Sequence, residues 1–396
     1  MRNSFFSLIL LGLFSACGSP EENVTERDTS LKLEFELLDS LDLDFLGSPI
    51  LASTNPEGSR FAFFDFPSKK IIISEKSGEI LDTLSKNGDT PDAYGFLIDL
   101  PVIWENDKLI QVGMNGVFIY DQEGNMLKKI KHPEDMGAAA FMSITGKTSK
   151  IVQFEGVSYL LMNSIRTRNT YAGEQKFYDT YKALEIVNLE TGETTDFGPF
   201  EEGSLFRNGK GFIQSDYLPA FAENKGKLYL SHGGEPKVWI YDFSPKNATL
   251  DTALALDIPH LFPIEGVDRE ELSEGNFSVN GGNAAIKNIF VQSGKILISY
   301  FPGLDPVEMV EAQKLWSEGK EEEGMALYRK LQEKSPPGIL IYDENSLELL
   351  AQLDYPKNTN NGGHLADREF IYFQKAPAQD VEEDFLRVYK MKLVEK

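Results

Sequence analysis

The chain has 396 residues and a formal net charge of −23, and aromatic residues, mostly Phe and Tyr, make up 11% of it. An excess of acidic residues repels phosphate backbones, which argues against nucleic-acid binding, while the aromatic content favours strands. Cys17 is the only cysteine, which excludes an intrachain disulfide, and four histidines without a second cysteine argue against a zinc site.

The start of the chain resembles a bacterial lipoprotein signal. A basic second residue precedes the apolar stretch Phe5–Phe14, which is about as long as the hydrophobic region of a secretion signal and roughly half of a membrane-spanning helix. Two small residues then precede Cys17, as in the lipobox at which signal peptidase II cleaves, although Phe14 stands where leucine is usual. We expect residues 1–16 to be a signal peptide and Cys17 to carry lipid. The alternative is an ordinary cleaved signal.

Residues 17–30 are polar and predict a flexible tether. The acidic residues that follow Cys17 resemble the surface-export signal of Bacteroidetes lipoproteins, although a solvated linker has the same composition. The resemblance implies a cell-envelope protein, held on the outer membrane through lipid on Cys17 and exposed at the surface. The sequence leaves a periplasmic orientation open.

The stretch Leu31–Phe45 alternates apolar and polar residues, which predicts a long half-buried strand with no neighbouring hairpin partner. From residue 48 onwards, a unit of short strands recurs six times. Each copy has a basic residue, interpreted as a solvated strand start, before a short apolar strand, and then a hairpin. These basic residues are Arg60, Lys108, Lys150, Lys227, Lys295 and Arg368.

The sixth unit ends with the strand within residues 385–395 and lacks a returning strand, which the stretch Leu31–Phe45 can supply. Pairing the two ends of the chain in this way closes a ring and removes exposed strand edges. The sequence therefore predicts an all-β domain over residues 31–396, namely a six-bladed β-propeller closed by its N-terminal strand. A β-sandwich or two packed sheets is the alternative.

Three connections are longer than the repeat requires, namely 156–181, 259–282 and 302–337. The last one has apolar residues at helical spacing, which predicts one or two amphipathic helices at about 304–334. Strand direction alternates within a blade, so all three connections emerge on one face. Repeat proteins commonly concentrate insertions on a binding face, which makes this the predicted functional face.

The lipobox around Cys17, the six hairpins and the helical insertion together resemble the Bacteroidetes six-bladed propeller lipoproteins of the DUF4221 kind. The resemblance covers nearly all of the chain after residue 30. It implies the fold and the envelope location and transfers no active site.

Four residues are candidate ligand contacts. Arg166 and Arg168 lie in a stretch with Tyr171, and arginine next to tyrosine suits anionic or carbohydrate ligands through forked hydrogen bonds and stacking. The alternative is a pair of surface ion pairs with Glu174 or Asp179. The other two candidates, one just before a pair of glycines and one just after such a pair, could face the channel mouth, with a polar loop residue as the alternative. They are His232 and His364.

Asn276, Asn280 and Asn283 form a cluster of oxygen-bearing side chains, and calcium prefers oxygen ligands. They suit a metal site only under the alternative that the propeller is a channel-centred hydrolase or lactonase. Otherwise no cofactor is predicted. The favoured hypothesis is a non-enzymatic, membrane-anchored binding or scaffolding propeller that recognises a protein, peptide or glycan partner through its loop-rich face.

Overall fold

The computed structural model describes residues 32–134, 148–164, 166–275, 280–377 and 383–396. The predicted signal peptide, the tether and Cys17 lie outside these ranges. The described residues form six antiparallel sheets of four strands each, arranged as the blades of a β-propeller. The predicted fold class is confirmed.

Every blade uses consecutive strands, except that the last blade takes its fourth strand from the start of the chain. That closing strand is β1 (Leu33–Leu43). Blades one to three contain β2 (Pro49–Thr54), β3 (Arg60–Asp65), β4 (Lys70–Glu75), β5 (Ile80–Leu84), β6 (Val102–Trp104), β7 (Lys108–Gly113), β8 (Gly116–Tyr120), β9 (Met126–Ile130), β10 (Lys150–Phe154), β11 (Val157–Asn163), β12 (Leu184–Asn188) and β13 (Thr194–Phe197). Blades four to six contain β14 (Pro219–Asn224), β15 (Lys227–His232), β16 (Lys237–Ser244), β17 (Asn247–Ala255), β18 (Ala285–Gln292), β19 (Lys295–Phe301), β20 (Gly338–Asp343), β21 (Leu349–Asp354), β22 (Thr359–Ala366), β23 (Ile371–Lys375) and β24 (Leu386–Glu395).

Ring closure follows the predicted plan. β1 pairs antiparallel with β24 along its whole length, from Leu33 opposite Glu395 to Leu43 opposite Leu386. The first and last strands of the propeller thus share one sheet, which gives the last blade the same four strands as the others.

The first strand of each blade lies innermost. β2 contacts both β6 and β22, and β18 contacts β14 and β22, so these strands surround a central channel. The middle strands of each blade are nearly all buried, because both of their faces pack against neighbouring blades. The large hydrophobic clusters accordingly join adjacent blades, as in the cluster that contains Leu43 of β1, Phe61 of β3 and Val388 of β24.

The third blade differs from the sequence prediction. The strand that begins at Lys150 is the innermost strand β10, whereas the equivalent basic residues of the first, second, fourth and fifth blades open second strands. The second strand of the third blade is β11. Inner and second strands are both short and apolar in a propeller, so local sequence does not distinguish them.

The helices lie in the connections. They are α1 (Gln175–Thr180), α2 (Gln214–Tyr217), α3 (Pro306–Ser317) and α4 (Glu321–Lys334). The last two form the helical insertion predicted at about 304–334. Asp305 caps α3 by accepting hydrogen bonds from the backbone N–H groups of Val307 and Glu308. None of the helices in the described ranges has the length and apolar composition that a membrane span requires.

The long connections meet on one face. Gly211 and Val267 pair through their backbones, which joins the connection before the fourth blade to the connection after it. The backbone N–H of Phe262 donates to the carbonyl oxygen of Pro302 at 2.8 Å, which links that second connection to the helical insertion. The connection 198–218, which the sequence prediction did not single out, belongs to the same assembly.

Candidate functional site

A cavity of 430 Å³ opens among these connections, and we call it the loop cavity. Three segments line it: residues 164–182 between β11 and β12, residues 212–217 around α2, and residues 272–275 before the fifth blade. Each segment comes from a different connection of the loop-rich face. The predicted face therefore carries a cavity large enough for a small ligand or one group of a larger partner.

One wall of the loop cavity is aromatic. Its members are Tyr171, Phe177, Tyr181, Phe212 and Tyr217. Tyr181 stacks flat on a buried phenylalanine, Phe200, with 3.9 Å between the ring centroids, and it meets the ring of Tyr217 edge-on at 5.5 Å. Apart from Tyr171, the wall is thus packed into the hydrophobic core between the third and fourth blades.

A buried hydroxyl ties two of the lining segments together. Tyr178 donates its hydroxyl hydrogen to the carbonyl oxygen of Ala172 at 2.8 Å and accepts a hydrogen bond from the backbone N–H of Phe212 at 3.0 Å. Burial raises the pKa of the Tyr178 hydroxyl, so it stays protonated and keeps its donor. The shape of the loop cavity therefore depends on the Tyr178 hydroxyl, which both donates and accepts a hydrogen bond.

The two arginines that the sequence singled out also line the loop cavity. The Arg168 guanidinium donates to Asp196 at 2.9 Å and to the Ser164 hydroxyl at 3.1 Å. Arg166 lies 3.5 Å from the same Asp196 carboxylate and 3.6 Å from Glu185. Two carboxylates thus balance the two guanidinium charges, and the cavity is polar there without a net anion-binding charge.

The alternative role for these arginines was a pair of surface ion pairs with Glu174 or Asp179. The arginines do form ion pairs, but with other carboxylates. Glu174 accepts a hydrogen bond from the Thr170 hydroxyl, and Asp179 lies 4.0 Å from Arg207. The acidic partners come instead from β12 and β13, because the strands of the blade bring Asp196 beneath the loop. Glu174 and Asp179 are closer to the arginines in sequence, but they are not the residues that pair with them.

The backbone at the arginines is strained. Arg168 and Asn169 have φ angles of 51° and 50°, in the left-handed region that L-residues avoid at a cost of about 1–2 kcal/mol each. Residues held in this way cluster at ligand-binding sites, where the surrounding structure compensates for the strain.

The asparagines of the alternative metal reading lie on the same face. Asn283 donates its amide to the Asp216 carboxylate at 2.7 Å, and Asn280 accepts a hydrogen bond from the backbone N–H of Gly282 at 2.9 Å. Asn276 lies outside the described residues. Asp216 is buried, and burial raises its pKa. These contacts fasten α2 to the connection before the fifth blade.

In the ranges that the structure describes, no three His, Cys, Asp or Glu side chains are arranged to hold a metal ion. Among the named asparagines, the described side chains of Asn280 and Asn283 already accept or donate protein hydrogen bonds.

His232 lies in the hydrophobic core, so its predicted position at the channel mouth is wrong. It is the last residue of β15 and is 0% exposed, with Phe200 at 5.1 Å and Tyr181 at 5.8 Å between ring centroids. Its Nε2 faces the carbonyl oxygen of Pro199 at 3.1 Å. Burial lowers its pKa to about 3.

His364 belongs to the innermost strand β22, yet it does not face the channel. The side chain is 0% exposed and stacks on Phe373 at 4.9 Å, with Phe290 at 5.0 Å. The Ser299 hydroxyl lies 3.3 Å from its Nδ1. Burial, with a smaller contribution from the charge of Lys150, lowers its pKa to about 3. Like His232, it packs between blades and offers no ligand contact in this conformation.

Sequence reasoning missed most of the aromatic wall. The run from Phe177 to Tyr181 places three aromatic rings within five residues inside an insertion, where loops are usually polar. That density is the signal that could have identified it. The contributions of Phe212 and Tyr217 could not have been found locally, because they come from a different connection.

No protein-family model and no curated protein matches the chain. The fold is similar to that of solved structures. A DUF4221 family member from Bacteroides vulgatus aligns with a TM-score of 0.60 and 12% identity over 93% of this chain and 100% of that one. A candidate exported protein from Bacteroides fragilis aligns with a TM-score of 0.50 and 12% identity over 93% and 96% of the two chains. The resemblance to the DUF4221 kind is confirmed at the level of the fold.

Proposed function

We propose that this protein is a binding propeller of the bacterial cell envelope, attached to the outer membrane through lipid on Cys17. Its loop cavity takes one group of a larger partner, namely a sugar unit of a glycan or the end of a peptide. The observation that carries the proposal is the composition of the cavity, which is lined both by aromatic side chains and by two arginines that are already paired with carboxylates. The exported description of the relative from Bacteroides fragilis supports the envelope location.

This lining suits a ligand with one flat apolar side and several hydroxyl or amide groups. Aromatic rings such as Tyr171 provide apolar contact area, and the donors of Arg166 and Arg168 provide directional hydrogen bonds. Because Asp196 and Glu185 balance the guanidinium charges, a neutral ligand fits better than a strongly anionic one. The strained turn at Arg168 supports the same location for binding.

The test uses the purified full chain and two probe sets, an array of soluble neutral glycans and an array of peptides. We expect Tyr171→Ala to weaken binding of the best probe by roughly tenfold or more, since truncating an aromatic anchor commonly costs about 2 kcal/mol. Ser273→Trp, at the exposed rim of the loop cavity, should block it. The matched control is Lys246→Trp, in the exposed turn between β16 and β17 on the opposite face.

Binding that survives both cavity variants would overturn the assignment of the loop cavity. Binding that falls equally in the Lys246→Trp control would indicate a general loss of structure. Turnover of a probe that stops on addition of a chelator would instead favour the metal-dependent hydrolase.

A further inference from the structure

A second cavity, of 790 Å³, occupies the central channel, and we call it the channel cavity. Residues of the innermost strands of all six blades line it, and so do first-to-second-strand turns such as residues 55–56 and 225–226. Those turns lie on the face opposite the loop cavity, because strand direction alternates within a blade. The channel cavity is therefore separate from the proposed binding site.

Lys150, at the start of β10, extends into this cavity and is not the solvated strand start that the sequence suggested. Its Nζ donates to the carbonyl oxygen of Phe221 on β14 at 2.7 Å and to that of Ile289 on β18 at 3.1 Å. It also lies over the ring of Phe290 at 4.7 Å. The amino group thus reaches from the third blade to the fourth and fifth blades, while the residue remains partly accessible to the cavity.

The surroundings of this amine favour its neutral form. Burial lowers the pKa of Lys150 to about 7, so near neutral pH roughly half of the molecules carry a free amine. A neutral amine has two N–H donors and one lone pair. The carbonyl oxygens of Phe221 and Ile289 accept the two hydrogens, which leaves the lone pair available for reaction.

Other charged groups lie in or beside the channel cavity. Lining side chains at its turn end are Glu155, Glu223, Lys225, Asp367 and Arg368. Burial raises the pKa of Glu223, which accepts a hydrogen bond from the backbone N–H of Gly226. His364 lies behind Lys150 and is held neutral by burial. No carboxylate is hydrogen-bonded or ion-paired to Nζ in the described ranges, so none holds the amine in its charged form there.

We propose that Lys150 is a covalent binding site for small carbonyl compounds, which the channel cavity admits from the face opposite the loop cavity. The lone pair of Nζ attacks the carbonyl carbon of an aldehyde and forms a carbinolamine. Loss of water then gives the imine: the two amine hydrogens leave with the carbonyl oxygen as one water molecule, and no oxidant or reductant takes part. The apolar side chains that line the channel cavity, such as Phe290 and Val291, fit an aliphatic or aromatic aldehyde.

The experiment traps the imine in the purified full chain. Benzaldehyde and sodium cyanoborohydride convert an imine into a stable benzylamine, and peptide mass mapping then identifies the modified lysines. At pH 7.5 we expect Lys150 to react at least tenfold faster than Lys225, which is exposed at the rim of the same cavity. The labelling rate of Lys150 should rise with pH through about 7, because only the neutral amine attacks.

Two variants separate reaction from a structural role. Lys150→Arg keeps a positive donor for the two carbonyl oxygens, and it should fold normally and lose the label. Lys287 on β18 is the matched internal control, because burial also lowers its pKa although it does not line the channel cavity. Lys287 should react slowly. If Lys150 reacts no faster than Lys225, or if Lys287 reacts equally fast, the proposal is wrong and Lys150 serves only to join three blades.

Discussion

The buried histidines His232 and His364 show how single residues tie this fold to pH. Each is 0% exposed and packed against aromatic rings from other strands and connections, and each is held neutral, with a pKa lowered to about 3. In the unfolded chain, a histidine has its ordinary pKa of about 6.5. Below that pH the unfolded state binds protons that the native state does not, so acid favours unfolding.

The expected result is a loss of stability between pH 7 and pH 5. The contribution of each histidine is fully present above about pH 6.5 and declines as the pH falls towards 3. At pH 5 this amounts to about 2 kcal/mol per residue. Urea unfolding at several pH values should show the decline, and His364→Phe should make it shallower. His260→Gln, at an exposed position, is the control and should leave the slope unchanged.

A wild-type protein whose free energy of unfolding stays constant from pH 7 to pH 5 would contradict this account of the two histidines.

The burial of His232 and His364 also explains why the sequence prediction for them was wrong. Glycines beside His232 and His364 pointed to loops, whereas burial is decided by residues such as Phe200 and Phe373 that only folding brings near. By contrast, Arg166 and Arg168 do line the loop cavity, because arginines next to tyrosine in an insertion are a local signal, and their role in ligand binding stays a prediction.

Elements of the propeller differ in how far their own sequence determines them. The helical insertion was predictable, because its apolar residues recur at helical spacing and the hairpin of α3 and α4 packs mainly on itself. The strand order of the third blade was not, since Lys150 opens an inner strand with the same local pattern as a second strand. The loop cavity was predictable as a place but not in its composition, because three connections contribute to it.

Removing residues 306–334 and joining the ends with a short glycine–serine linker should leave the ring intact. Tyr300 and Gly338 already pair across β19 and β20, so the ends to be joined are adjacent. Only a small cluster of Phe301, Leu304 and Leu331 is lost. We expect one cooperative thermal transition, lowered by a few degrees, as is typical for a loss of about 1–2 kcal/mol in a large domain. Circular dichroism with temperature measures this.

The same variant tests whether binding of small probes in the loop cavity depends on the helical hairpin. Val307 and Val310 of α3 are 78% and 64% exposed, whereas the loop cavity has no described lining residue from the hairpin. Small probes should therefore bind the shortened chain as they bind the wild type. Replacing both valines by serine is the control that keeps the helices. A shortened chain that does not unfold cooperatively would show that the hairpin is integral to the propeller.

At the scale of the whole molecule, closure depends on packing more than on charge. The pairing of β1 with β24 was predictable from the sequence, because the alternating N-terminal stretch had no hairpin partner and the last unit lacked a strand. Which contacts hold the seam was not predictable. Asp42 and Arg387 form a two-pronged ion pair with distances of 2.6 and 2.7 Å, but both side chains are partly exposed, whereas the adjacent Leu43 is 0% exposed.

Leu43→Ala should therefore destabilise the protein far more than Asp42→Ala. Truncating a fully buried leucine costs about 2–5 kcal/mol, because apolar contacts are lost and a cavity remains between the last and first blades. An exposed ion pair contributes about 1 kcal/mol or less. Urea unfolding at neutral pH compares the two variants directly. Equal losses would mean that the ion pair, and not the leucine, closes the ring, and the loss in Asp42→Ala should then shrink as salt screens the pair.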